Sequence, residues 1–149
     1  MRAGDRGESL LELLVAVAIM GVAVVAVLGG LATAVRMTDI HRKQATAGAT
    51  VHAYAEAVQG RVVTSGYVPC ASSVTYAAPA GFAAPVDYVA SVVAGSMRYW
   101  SGTAWQGSCA TDQGLQQLTL QVTSADGRVA EQLVITIRRP CRLTDAVCS

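Results

Sequence analysis

The sequence predicts an α+β fold in which a long N-terminal α-helix, half transmembrane and half amphipathic, packs on a small antiparallel β-sheet. Three observations carry that expectation. Leu13 to Val35 is a run of 23 residues without a charge. Val51, Tyr54, Val58 and Val62 then recur at helical spacing. Further on, Leu118, Leu120 and Val122 alternate with polar residues, Asp126-Gly127 supplies turn chemistry, and Val129, Leu133, Ile135 and Ile137 follow on the return side. A chain of 149 residues has room for one domain and one membrane element.

The uncharged run is the first element. At 1.5 Å per residue it spans roughly 35 Å, enough to cross a hydrocarbon core of about 30 Å. It is apolar all round, so no one-sided stripe marks it as the surface helix of a soluble domain. A cleaved secretory signal is the rival reading, because Arg2 and Arg6 precede the run and Ala32-Thr33-Ala34 has the A-x-A form. Two features oppose it. The run exceeds the usual 7–15 residues of such signals, and the head is neutral: the amino group, Arg2 and Arg6 are balanced by Asp5, Glu8 and Glu12. Within the run, Ala26, Gly30 and Ala34 recur every four positions and allow close helix approach along one face, whereas Gly29-Gly30 equally marks a place where the helix could loosen.

Glu12 sits at the edge of this run, followed by Leu13, Leu14 and Val15. A carboxylate carried to the centre of a membrane costs about 2.5–3.5 kcal/mol on insertion scales, so one kept at depth calls for a partner. At the boundary it can instead reach the headgroups. The segment Gly7-Glu8-Ser9-Leu10-Leu11-Glu12-Leu13-Leu14-Val15-Ala16 resembles the processing motif of the type IV pilin superfamily, which includes minor type IV prepilins and type II secretion pseudopilins. The resemblance covers about the first 36 residues. It implies cleavage by a membrane prepilin peptidase between Gly7 and Glu8, and N-methylation of the new terminus at Glu8. Phe or Met is the commoner first residue in that family, so Glu8 departs from its pattern. It also implies that Glu12 pairs with the terminal ammonium of a neighbouring subunit during filament entry, and opposite charges brought together in a low-dielectric bundle do attract strongly.

On this resemblance residues 1–7 are the leader, 8–36 the transmembrane and filament-core helix, and 37–149 an extracytoplasmic domain. The helix is expected to continue to about Val63, where Thr64-Ser65-Gly66 and Pro69 break it. A loop rich in Ala, Pro, Gly and Ser follows over 64–85, then the sheet over 86–139 and a C-terminal loop over 140–149. Before the main hairpin, Val86 to Val93 and Ser96 to Trp100 read as strands, with a turn at Ser101-Gly102. Tyr99, Trp100 and Trp105 are expected to fill core or cover a sheet edge.

Cys70, Cys109, Cys141 and Cys148 all follow the apolar run, and no C-x-x-C pair or zinc-ligand spacing occurs. Disulfides on the outer side of the membrane are expected, which places the short head in the cytoplasm. Of three possible connectivities, the expected one joins Cys70 to Cys109 and Cys141 to Cys148. No catalytic, metal or cofactor set is recognised. His52 falls on the stem, no nucleophile elbow or phosphate loop occurs, and Asp87, Asp112, Asp126, Glu131 and Asp145 are scattered. A net charge of +1 without a basic run leaves nucleic acid unsupported as a partner. The partners that the resemblance implies are the peptidase, other pilin or pseudopilin subunits, an inner-membrane assembly platform and the lipid bilayer. The function it implies is that of a structural subunit of a type IV pilus or secretion filament, with a tip-displayed binding module or a simple anchored domain as the alternatives.

Overall fold

The computed structural model describes residues 5–77 and 79–141. The chain divides into two compact units, Met1–His41 and Arg42–Ser149. Helix α1, Asp5–Ser65, contributes to both.

In the first unit α1 is long and apolar enough to cross a membrane. Every described side chain from Leu10 to Asp39 is exposed, and the large apolar ones up to Val35 are 45–72 % accessible. A helix with that much apolar surface on all sides is made for lipid or for other helices, not for water. The Thr33 hydroxyl donates to the carbonyl of Gly29 at 3.0 Å, so the polar side chain is satisfied within its own helix. Gly29-Gly30 does not interrupt α1, since consecutive intrahelical bonds carry a glycine pair where no alternative packing competes.

In the second unit α1 turns one stripe inward. Ala47, Val51, Tyr54, Ala55, Val58 and Val62 are buried, two turns repeating as the spacing requires, and they pack on the sheet. The helix ends two residues beyond the expected Val63, and Gly66 at φ +91° takes the left-handed conformation that releases the chain from it.

The sheet has five antiparallel strands: β1 Tyr88–Val92, β2 Arg98–Trp100, β3 Trp105–Gln106, β4 Leu115–Ser124 and β5 Ala130–Arg138. Strand β4 is its axis. On one side β5 pairs along nearly all of it, from Leu115 opposite Arg138 to Thr123 opposite Ala130. On the other side β1 pairs with Leu120–Ser124 and β2 with Gln116–Gln117, so β1 and β2 form one edge interrupted by a turn over Val93–Met97. Burial along β4 alternates without a break, and Gln116, Leu118, Leu120, Val122 and Ser124 face the core. The expected hairpin is present, with Gly127 at φ +67° in its turn. Strand β3 was not among the expected elements. Two residues are too short for periodicity to register, and the Ser101 hydroxyl, accepting from the Ala104 N–H at 3.1 Å, helps to close the turn that forms it.

The loop after α1 contains a 3₁₀ helix, η1, Ser73–Tyr76, and three buried tyrosine contacts hold the segment. Tyr54 donates to the carbonyls of Tyr76 and Ala77 at 2.9 and 3.0 Å. Tyr76 donates to the Gln116 side-chain oxygen at 3.1 Å, and Tyr99 to the Ala71 carbonyl at 2.7 Å. Burial raises the pKa of both Tyr54 and Tyr76, which keeps these hydroxyls protonated as donors.

Candidate functional site

Three places carry chemistry, and the first is the start of α1. Gly7 and Glu8 lie in its helical backbone. Glu12 is exposed on the same helix among exposed Leu10, Leu11, Leu13 and Leu14. Among the described residues Glu12 has no hydrogen-bond or ion-pair partner. A carboxylate in an apolar surface, without a counter-charge among the described residues, is able to pair with a cation.

The second place is the disulfide corner of the outer domain. Cys70 and Cys109 are bonded, with their Cα atoms 5.6 Å apart and a separation of 39 positions in sequence, as expected. The other expected pairing reaches Cys148, which lies outside the described residues, while Cys141 is not a free thiol. Beside the bond, Asp112 collects donors. Tyr67 donates its hydroxyl to both carboxylate oxygens at 2.7 and 2.8 Å. The backbone N–H of Cys70 donates at 2.9 Å, that of Gly114 at 2.8 Å, and the Gln116 side-chain amide at 2.7 Å. Partial burial works to raise the Asp112 pKa, but the bonds from Gln116, Tyr67, Cys70 and Gly114 overcome it and hold the carboxyl below its ordinary range. Tyr67 is pushed far above the usual phenol range, first by burial and then by its bond to the Asp112 carboxylate. The Arg139 guanidinium lies 5.3 Å over the Tyr67 ring.

This corner is built to be rigid. One Asp112 oxygen and the two sulfurs come within 4.8 Å of one another, yet the sulfurs are spent on their own bond and offer no thiolate to a metal. Sequence reasoning left Asp112 among scattered carboxylates. Its one local signal is the Asp-x-Gly spacing before a strand, which lets the Asp112 carboxylate accept from the N–H two residues on. Of the other acidic residues, Asp126 sits in the β4–β5 turn, where the Lys43 ammonium chiefly, with the Ser124 hydroxyl, draws its pKa down. His52 is exposed on α1.

The third place is an aromatic pair. Tyr99 is buried, as expected, but Trp100 and Trp105 do not fill the core. They are register partners on β2 and β3, their ring centroids 5.4 Å apart in an edge-to-face arrangement, and Trp105 is 39 % exposed. Strand alternation explains the difference. Tyr99 pairs with Gln116 on the core side, so Trp100 one position on must point to the other face.

Comparison with known proteins agrees with the first of these places. The family model described as the prokaryotic N-terminal methylation motif matches residues 2–28. Neither the curated proteins nor the solved structures gave a match.

Proposed function

We propose that this type IV pilin-like chain, with its prepilin cleavage motif, works as a structural subunit, a minor pilin or pseudopilin, of a type IV pilus or related secretion filament. The observation that carries the reading is the N-terminal match to the methylation motif, running into a helix whose apolar surface is exposed on every side. Prepilin peptidase cuts between Gly7 and Glu8, and Glu8 becomes the modified terminus. The helix then leaves the bilayer for a bundle of like helices. Both are low-dielectric surroundings, so the transfer keeps apolar surface away from water.

Glu12 gives that transfer its register. In the bundle its carboxylate pairs with the terminal ammonium of a neighbour, and a subunit that stops short leaves two charges unpaired. Removing one partner of a buried pair costs about 3–5 kcal/mol, which is enough to reject misplaced subunits. The test is Glu12→Ala, followed in the sheared filament fraction and in the membrane fraction. Cleavage is expected to persist while incorporation into filaments is lost. A variant that enters filaments like the parent would overturn the role given to Glu12.

A second reading, display of the outer domain as a binding module, draws on the Trp100–Trp105 pair, of which Trp105 is exposed. A deletion strain separates the two. Loss of filaments indicates the structural role, and normal filaments that no longer bind indicate display.

A further inference from the structure

The face of the sheet directed away from α1 has a composition unlike the rest of the domain. Register places Trp100 and Trp105 at one end of it, then Arg98 opposite Gln117 and Gln117 opposite Thr136, then Thr119 opposite Val134 and Gln121 opposite Gln132. Arg138 joins the same face opposite Leu115. Among the described residues no outward position of the five strands holds a carboxylate, while two arginines lie near the tryptophans. The Arg98 guanidinium is fixed by donating to the carbonyls of Gly95 and Met97, each at 2.9 Å.

The amides and hydroxyls in the middle of this face are uncommitted. Among the described residues the side chains of Gln117, Thr119, Gln121, Gln132 and Thr136 make no hydrogen bond to protein, and neither indole N–H has a protein acceptor. They stand on a rigid pleat, about 6.6–6.8 Å apart along a strand and about 4.8 Å between strands. Flat aromatic rings offer a platform for the apolar C–H face of a sugar ring. Amides and hydroxyls that can both donate and accept match its hydroxyls. Each arginine offers a planar guanidinium fork that suits a carboxylate.

We propose that this outer sheet face binds an acidic polysaccharide, with a sugar ring stacked on the Trp100–Trp105 pair, its carboxylate taken by Arg98 or Arg138, and neighbouring hydroxyls met by the Gln and Thr rows. Charge complementarity selects the acidic glycan over a neutral one, because the face is cationic at the aromatic end and carries no acid to repel a uronate. Single-stranded nucleic acid is the less suited ligand. It needs a groove of cations that tracks successive phosphates, and two arginines do not make one. The binding does not depend on entry into a filament, so its failure would leave the structural reading standing.

The experiment is equilibrium binding of the full chain in non-ionic detergent to three probes: an alginate oligosaccharide, cellohexaose and an oligothymidylate. The alginate oligosaccharide is expected to bind best, and more weakly as salt is raised. Trp105→Ala is expected to weaken it about tenfold, as loss of a stacking platform does for other ring ligands. Arg138→Gln should weaken it and flatten its salt dependence. Both positions are exposed, and an intact Cys70–Cys109 bond with unchanged far-ultraviolet circular dichroism shows that the variants are folded. Equal binding of cellohexaose, tighter binding of the oligothymidylate, or folded variants that bind like the parent would each overturn the proposal.

Discussion

Asp112 illustrates how much a single carboxylate can organise. Its two oxygens accept from Tyr67, from the backbone of Cys70 and Gly114, and from Gln116, so one side chain ties the loop after α1 to the start of β4. Cys70 holds a left-handed backbone at φ +54°, and its N–H bond to Asp112 is part of what keeps it there. Asp112→Asn turns an amide N–H₂ toward donors that need acceptors. That leaves part-buried donors unpaired, and we expect a loss of about 1–3 kcal/mol in urea unfolding, with Tyr67 fluorescence reporting the local change. Because the folded pKa of Asp112 lies below its unfolded value near 3.9, its contribution is complete above that value and is lost as pH falls through the folded pKa. An acid titration should therefore loosen the corner below about pH 4 in the parent and leave the Asn variant flat over the same window. None of this was legible from one sequence. The donors arrive from positions 67, 70 and 116, and only folding brings them together.

At the scale of elements, what could be read was what repeats. The uncharged run, the stem stripe of Val51, Tyr54, Val58 and Val62, and the alternation of β4 are each a pattern sustained over several residues, and α1 and β4 contain them. The loop over 64–85 was legible only as a break. Its order comes from Tyr54, Tyr76 and Tyr99, whose hydroxyls reach carbonyl and amide oxygens far away in sequence, and composition cannot announce that. Nor could composition place the tryptophans, because the parity of β2 is set by its pairing with Gln116 and not by how apolar its residues are. The β4–β5 turn gives a direct test at this scale. Gly127 adopts φ +67° with open space where a Cβ would stand, so strain of the backbone alone opposes a branched side chain. Gly127→Val is expected to destabilise the outer domain by about 1–3 kcal/mol in thermal unfolding, while Gly127→Asn costs much less.

The whole molecule joins two materials along one helix. From Leu10 to Asp39 the surface suits lipid or like helices, whereas from Arg42 onward the chain folds around its own core and is stapled by Cys70–Cys109. The staple joins positions 39 apart in sequence, and constraining a loop of that size in the unfolded chain contributes about 2–4 kcal/mol. Double replacement by alanine should lower the unfolding midpoint of the outer domain accordingly and leave the helicity of the first unit unchanged. Equal loss from both units would show that they do not fold separately.

The proposed function stands on the first residues of the chain, where Gly7 precedes Glu8 and Glu12 stands five positions after Gly7. Its most direct measurement is the mass of the intact N-terminus after expression with a prepilin peptidase in a bacterial membrane. The account predicts a chain that begins at Glu8, with or without one added methyl group. A chain that keeps Met1, or one that begins at Val35, would contradict it.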